Sequence, residues 1–165
     1  MRRPRPDPVG PGQESVWDYP RPPVLDPSEE HVVVTHAGRI VADSRRALRV
    51  CETSHPPVYY LPPHDVDRTC LAPSAARSWC EYKGQAAYAD LVVGDERLPQ
   101  VCWWYPQPTA AFRRLADHLA FYPQRVERIT VDGETVRAVE GDFYGGWITS
   151  RVVGPFKGGP GTLGW

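Results

Sequence analysis

Asparagine is absent from the chain, methionine occurs once and lysine twice, and each scarcity narrows the reading. Without asparagine there is no N-glycosylation acceptor, so nothing marks an extracellular surface. No apolar run approaches the roughly 20 residues that a membrane-spanning helix needs, and no membrane partner is expected. The charged start, Arg2-Arg3-Pro4-Arg5-Pro6, is not followed by the apolar core of a secretory signal, which predicts a cytoplasmic location. The four cysteines, Cys51, Cys70, Cys80 and Cys102, form no Cys-x-x-Cys pair. That spacing speaks against a structural zinc site and for reduced, partly buried thiols, so no metal or other cofactor is expected. Charge of neither sign dominates: the formal net charge is −1 and the pI about 6.5, and no long-range field attracts nucleic acid. The templates Gly-x-x-x-x-Gly-Lys-Ser/Thr, His-Glu-x-x-His and Gly-x-Ser-x-Gly are missing as well. Gly158-Gly159-Pro160-Gly161 follows Lys157 but lacks the strand and helix of a phosphate loop.

Against 17 arginines, the two lysines, Lys83 and Lys157, stand out. A compact, deprotonatable ammonium is something a guanidinium cannot supply, although two lysines can also survive by chance.

What is present is ample apolar material: 165 residues, 41% apolar and 11% aromatic, enough for one domain with its own core. Residues 1–30 are rich in Pro and Arg without apolar periodicity and read as an N-terminal extension, docked in part through Ser15-Val16-Trp17-Asp18-Tyr19-Pro20. Residues 31–140 read as a β domain. His31 to Asp43 is a hairpin around Gly38, residues 45–53 a third strand and Val58 to Leu61 a fourth. Val66 to Leu71 reads as an edge strand and Pro73 to Arg77 as a turn. Ala86 to Val93 with Gln100 to Tyr105, and Val126 to Val131 with Thr135 to Val139, read as two further hairpins. One short α-helix is expected from Thr109, a plausible N-cap, because Phe112, Leu115, Ala116 and Leu119 share a face at helical spacing. Residues 141–165 combine glycines with aromatic anchors and read as an ordered extension wrapping the domain.

Three clusters could carry chemistry. In Trp79-Cys80-Glu81-Tyr82-Lys83-Gly84 a thiol stands three residues from an ammonium, the setting of an activated nucleophile, or equally of a buried structural cysteine beside a surface lysine. Glu52-Thr53-Ser54-His55-Pro56-Pro57-Val58-Tyr59-Tyr60 offers a carboxylate, an imidazole and phenols for acid-base work or for gripping a polar ligand. The same residues also suit a hydrogen-bond network that fixes a loop. In Cys102-Trp103-Trp104-Tyr105 strand alternation puts Trp103 and Tyr105 on one face, an arrangement for core packing or for an aromatic cage.

Taken together, these stretches resemble the bacterial family catalogued as domain of unknown function 427, in the form that carries extensions at both ends. The resemblance rests on Ser15 to Pro20, Glu52 to Pro63, Cys80-x-x-Lys83-Gly84-x-Ala86-x-Tyr88, Trp103-x-Tyr105-Pro106, Ala120-Phe121-Tyr122-Pro123 and Gly145-Gly146-Trp147-Ile148-Thr149-Ser150. It implies a mainly β fold, a β-tent of two antiparallel sheets meeting over a hollow, in a zinc-free branch. A nucleotidyltransferase-like label attached to the family implies a carboxylate pair for magnesium, which no local motif here supplies. Glu81-Tyr82 stands where the family often has Pro-Trp.

Three functions are compatible with these residues. One is a module binding a small molecule in a pocket lined by Glu52, His55, Tyr60, Cys80, Lys83, Tyr88, Trp103, Tyr105 and Trp147. Another is a nucleotidyltransferase-like or hydrolytic enzyme using Lys83, Cys80 and Glu52. The third is a non-catalytic protein-interaction domain presenting Trp17 and Trp165.

Overall fold

The computed structural model describes residues 2–165; Met1, the first residue of the N-terminal extension, lies outside the described residues. In chain order, β1 (Glu14–Ser15) and β2 (Val24–Pro27) precede β3 (Val32–His36), β4 (Arg39–Ser44), β5 (Leu48–Cys51) and β6 (Val58–Tyr60). The longest strands follow: β7 (Leu71–Cys80), β8 (Gly84–Val93) and β9 (Glu96–Trp104). The remainder are short: β10 (Ala120–Phe121), β11 (Arg128–Val131), β12 (Glu134–Thr135), β13 (Arg137–Ala138), β14 (Trp147–Ile148) and β15 (Val152–Val153).

The fold is mainly β. One four-stranded antiparallel sheet runs β10-β9-β8-β7 and another β12-β11-β3-β4. A three-stranded antiparallel sheet, β2-β5-β6, adds to the two expected. Two of the turns explain themselves. Ala37-Gly38 and Asp132-Gly133 both have positive φ at each central residue, the geometry that matches the twist of a two-residue hairpin. These first and third hairpins then pair with each other, Val34 opposite Ile129.

Strands β8 and β9 have both faces covered. On one face Ala89, Leu91 and Cys102 pack against Val32, Val34 and Val41 of the opposing sheet, with Phe121 and Trp147 in the same cluster. On the other, Ala86, Trp103 and Tyr105 meet Leu48, Val50 and Tyr60 of the three-stranded sheet. The register sets this division, because Tyr88 lies opposite Trp103 while Ala89 lies opposite Cys102.

Three local expectations are corrected. The helix expected from Thr109 to Leu119 is a 3-10 segment, Ala110–Leu115, kinked at Phe112 (φ −115°, ψ 17°). Thr109 does not cap it, since its hydroxyl donates to the Tyr82 carbonyl and its amide to the Lys83 carbonyl. Asp117 then turns away at φ 61° and donates its amide to Tyr105, which leaves no room for a longer helix. The edge strand expected over Val66 to Leu71 is instead a 3-10 turn, Arg68–Cys70, leading into β7. The turn expected at Pro73 to Arg77 is a register shift inside β7. Because β7 is a sheet edge, Pro73 costs no ladder bond, and the Arg77 guanidinium satisfies the freed carbonyls of Ser74 and Ala76.

The chain ends are held by side chains. β1 pairs with β15 in parallel, and the Trp17 ring lies 5.7 Å from that of Trp165 while its indole N–H donates to the Pro155 carbonyl. Arg49, 1% exposed, donates to Glu14 and Asp26 at 2.8 Å each and to the Tyr19 hydroxyl. Arg151 reaches the same Glu14, and also Glu30.

Candidate functional site

A cleft of about 370 Å³ opens beside the three-stranded sheet. Its floor comes from strands distant in sequence. β5 leads into the Glu52 to Pro57 loop, where Ser54 sits at φ 72° and its amide donates to the Val16 carbonyl. That loop brings Glu52 and His55 to the opening, and β6 adds Val58 and Tyr60. The β7–β8 connection presents Cys80, Tyr82 and Lys83. It turns at Gly84 (φ 105°), where a side chain would press within 3.4 Å of the Gln107 carbonyl. β8 and β9 supply Tyr88 and Trp103, and Tyr105 and Tyr122 complete the inner wall.

Eight of the residues singled out in the sequence therefore line one hollow: Glu52, His55, Tyr60, Cys80, Lys83, Tyr88, Trp103 and Tyr105. Trp147 does not. It is fully buried in the main core, stacked on Tyr59 at 4.9 Å with its N–H donated to the Phe121 carbonyl. The cleft also contains residues that were not assigned to it from the sequence: Trp79 and Tyr82 beside Cys80, Tyr122, and Phe143, Tyr144, Gly145 and Lys157. For Lys157 the rarity of lysine was the available signal. Its position depends on a hydrogen bond from its backbone amide to the carbonyl of Ser54, far away in sequence, which no local pattern encodes.

The electrostatics centre on Lys83, which is 9% exposed, with its ammonium 5.8 Å from the centre of the Tyr105 ring. Burial pulls this group toward neutrality, but its neighbours Tyr60, Cys80 and Glu52, together with a hydrogen bond to the Cys80 side chain, outweigh it and its pKa is raised. Lys83 therefore stays an ammonium. Among the described residues the ion pairs are made by arginines and histidines, and neither Lys83 nor Lys157 takes part in one. Lys157 lies 5.7 Å from the Tyr144 ring centre, and Tyr144 meets the His55 ring edge-on at 5.1 Å.

His55 is pushed down to about 4 by burial and by the cations Lys157, Arg21 and Lys83. It is neutral at physiological pH even though the Glu52 carboxylate stands 3.5 Å away, because that carboxylate is shared with Arg21 at 3.3 Å. Burial raises the Tyr60 and Tyr105 hydroxyls above the ordinary range, so both stay protonated donors. Tyr60 accepts from the Trp103 indole at 3.2 Å and shares a hydrogen bond with the Tyr105 hydroxyl. Cys80 is the cysteine that reaches the cleft. Burial pushes Cys102 up to about 12 and Cys51 up to about 11, so those thiols are unreactive.

This set does not suit a divalent cation: the inner carboxylate, Glu52, is spent on Arg21 and His55 and is surrounded by positive charge. Among the described residues no group of three His, Cys, Asp or Glu side chains is placed to hold a metal ion, and no helix is long and apolar enough to cross a membrane.

Residues 24–132 match the family model described as Domain of unknown function (DUF427). The chain belongs to the DUF427 family. No curated protein matches it. The DUF427 match contains the cleft floor, from Val50 and Glu52 through Lys83 to Tyr122, whereas Phe143, Tyr144, Gly145 and Lys157 come from beyond it.

Proposed function

We propose that the protein binds a small anionic molecule in this cleft, with Lys83 as the counter-charge and the tyrosine hydroxyls as donors. One observation carries the reading: a nearly buried ammonium, with no carboxylate within ion-pair distance among the described residues, faces an open hollow. Buried charges are ordinarily paired, so an unpaired one beside a cavity points to a partner that comes from outside. The balanced net charge supports a small molecule over nucleic acid, and the reading fits a cytoplasmic protein. Thermal unfolding with inorganic phosphate, pyrophosphate and citrate, in the wild type and in Lys83→Met, tests it. At least one of the three is expected to raise the unfolding temperature of the wild type and not of the variant. No rise with any of them, or equal rises in both proteins, would overturn it.

A second reading, an enzyme of nucleotidyltransferase-like or hydrolytic type, draws on the Glu52–His55 contact. A neutral imidazole beside a carboxylate is competent to take a proton, and Cys80 adds a nucleophile within the same cleft. Turnover of a phosphate ester that disappears in His55→Gln would favour it over binding alone. The third reading loses its anchors, since Trp17 is buried and packed against Trp165.

A further inference from the structure

The register of the β7–β8 hairpin aims Cys80 into the cleft. Cys80 lies opposite Gly84 and Ser78 opposite Ala86, and strand alternation puts Cys80 on the same face as Ser78. That face is the cleft side, because the Ser78 hydroxyl is 2.7 Å from the Tyr88 hydroxyl, and Tyr88 lies opposite Trp103 on the cleft floor. Cys80 packs with Tyr82 and Tyr88 against the cluster of Trp103 and Tyr105. The Lys83 ammonium donates a hydrogen bond to its sulfur.

The other three thiols are elsewhere. Cys70 and Cys102 are buried in the main core and Cys51 in the cluster around Trp17, each at most 3% exposed. All four are free and none of the three lines the cleft, so a disulfide at Cys80 has to take its second sulfur from solution. The way in favours negative charge. Lys83 and Lys157 line it, while of its two carboxylates Glu52 is paired with Arg21 at 3.3 Å and Glu81 is exposed to water.

We infer that Cys80 is a site of reversible thiolation by small anionic disulfides, with Lys83 holding the carboxylate of the incoming group. The inference rests on the anion reading above and adds a covalent step to it. The Cys80 sulfur attacks one sulfur of the disulfide, a sulfur–sulfur bond to Cys80 forms as the original one breaks, and the departing thiolate takes up the proton that the Cys80 thiol gives up. Cys80 is oxidised to a mixed disulfide and the reagent is reduced to one free thiol; a thiol reductant reverses both. The adduct leaves its carboxylate on Lys83, so the modified protein has its anion site filled. A hollow of about 370 Å³ accommodates a group of that size.

The test uses the full chain, reduced, and three disulfides that differ in charge: dithiodiglycolate, bis(2-hydroxyethyl) disulfide and cystamine. Adducts are followed by intact mass and located by peptide mapping. Each rate is divided by that of N-acetylcysteinamide with the same reagent, which removes differences intrinsic to the reagents. In the wild type Cys80 is expected to be modified first, by dithiodiglycolate about tenfold or more faster than by the neutral reagent on this scale, with cystamine slowest. Lys83→Met should remove most of this preference, and high salt should narrow it in the wild type, where no substitution can disturb folding. Equal normalised rates, a preference that Lys83→Met leaves in place, adducts on Cys51, Cys70 or Cys102 ahead of Cys80, or no adduct at all would each overturn the inference. Thermal shifts with phosphate, pyrophosphate and citrate on the same two proteins separate it from the anion reading. A Lys83-dependent rise beside failed labelling leaves the anion site standing, whereas failure of both measurements removes both.

Discussion

Replacing His55 with glutamine isolates the electrostatics of the cleft. In the folded protein burial and the cations Lys157, Arg21 and Lys83 hold the imidazole neutral down to about pH 4, against an ordinary value of 6.5. Between those values the unfolded chain takes up a proton that the folded chain refuses. Stability therefore falls as pH drops through this window and is unaffected above it. The full displacement is worth about 3 kcal/mol, of which about 2 kcal/mol is lost between pH 7.5 and pH 5. Glutamine is neutral throughout and can still donate to Glu52, so any packing difference appears as an offset that does not vary with pH. Urea unfolding at half-unit steps from pH 7.5 to pH 5 would measure it. Wild-type stability minus variant stability should decline by about 2 kcal/mol across the series. A flat difference would refute the reasoning. A difference that rises on acidification would mean that the Glu52 contact at 3.5 Å governs His55, with the imidazole charged in the folded state.

Two other perturbations probe the supports of the cleft. Gly145→Ala would place a methyl group 2.5 Å from the Trp103 ring and 3.1 Å from that of Tyr122, forcing the floor rings aside. The expected cost is about 1–3 kcal/mol in urea unfolding together with a weaker thermal response to phosphate, and an unchanged protein would contradict the packing described. Arg49→Met removes a buried guanidinium from Glu14, Asp26 and Tyr19. Both carboxylates are partly exposed and can rehydrate, and the Arg49 Nε is already unpartnered, so the loss should lie near the lower end of the buried-pair range, about 3 kcal/mol. Proteolytic release of the N-terminal segment should quicken in step, and equal proteolysis rates would show that the ends are held by other contacts.

The parts of the fold legible in the sequence were those set by near neighbours. The β3–β4 and β11–β12 hairpins follow from β-branched runs around Ala37-Gly38 and Asp132-Gly133, where strand and turn chemistry agree within a dozen residues. The Thr109 segment was misread because its helical spacing is real but its capping hydroxyl is claimed by Tyr82, from a hairpin more than 20 residues earlier. Trp147 shows the opposite failure. Among glycines and aromatics it was assigned to the pocket lining, yet its pairing partner Ala138, its stacking partner Tyr59 and its carbonyl acceptor on Phe121 draw it into the core from three separate elements. The residues of the cleft floor could be picked out by type, since carboxylate, imidazole, thiol, ammonium and adjacent rings are rare company. The rim could not, because Phe143 and Lys157 acquire their meaning only after the chain has folded back over Ser54 and Trp103.

The choice of cation follows the same logic. Among the described residues the ion pairs use arginine or histidine, and arginine's planar fork suits a carboxylate fixed by the fold, as at Arg49 between Glu14 and Asp26. Lysine, present twice against 17 arginines, appears at the cleft both times: among the described residues Lys83 has no carboxylate within ion-pair distance, while Lys157 donates to the Trp165 oxygen at 3.4 Å. A compact ammonium on a flexible stem imposes little geometry of its own, which is a disadvantage for holding two protein segments together but suits a charge whose partner arrives from solution. Lys83 belongs to the matched DUF427 region and Lys157 to the segment beyond it. Under the anion proposal, the deep charge is thus set by the family domain and the second lysine by the segment beyond it, so changes in that segment are expected to alter which anion is preferred while Lys83 stays in place.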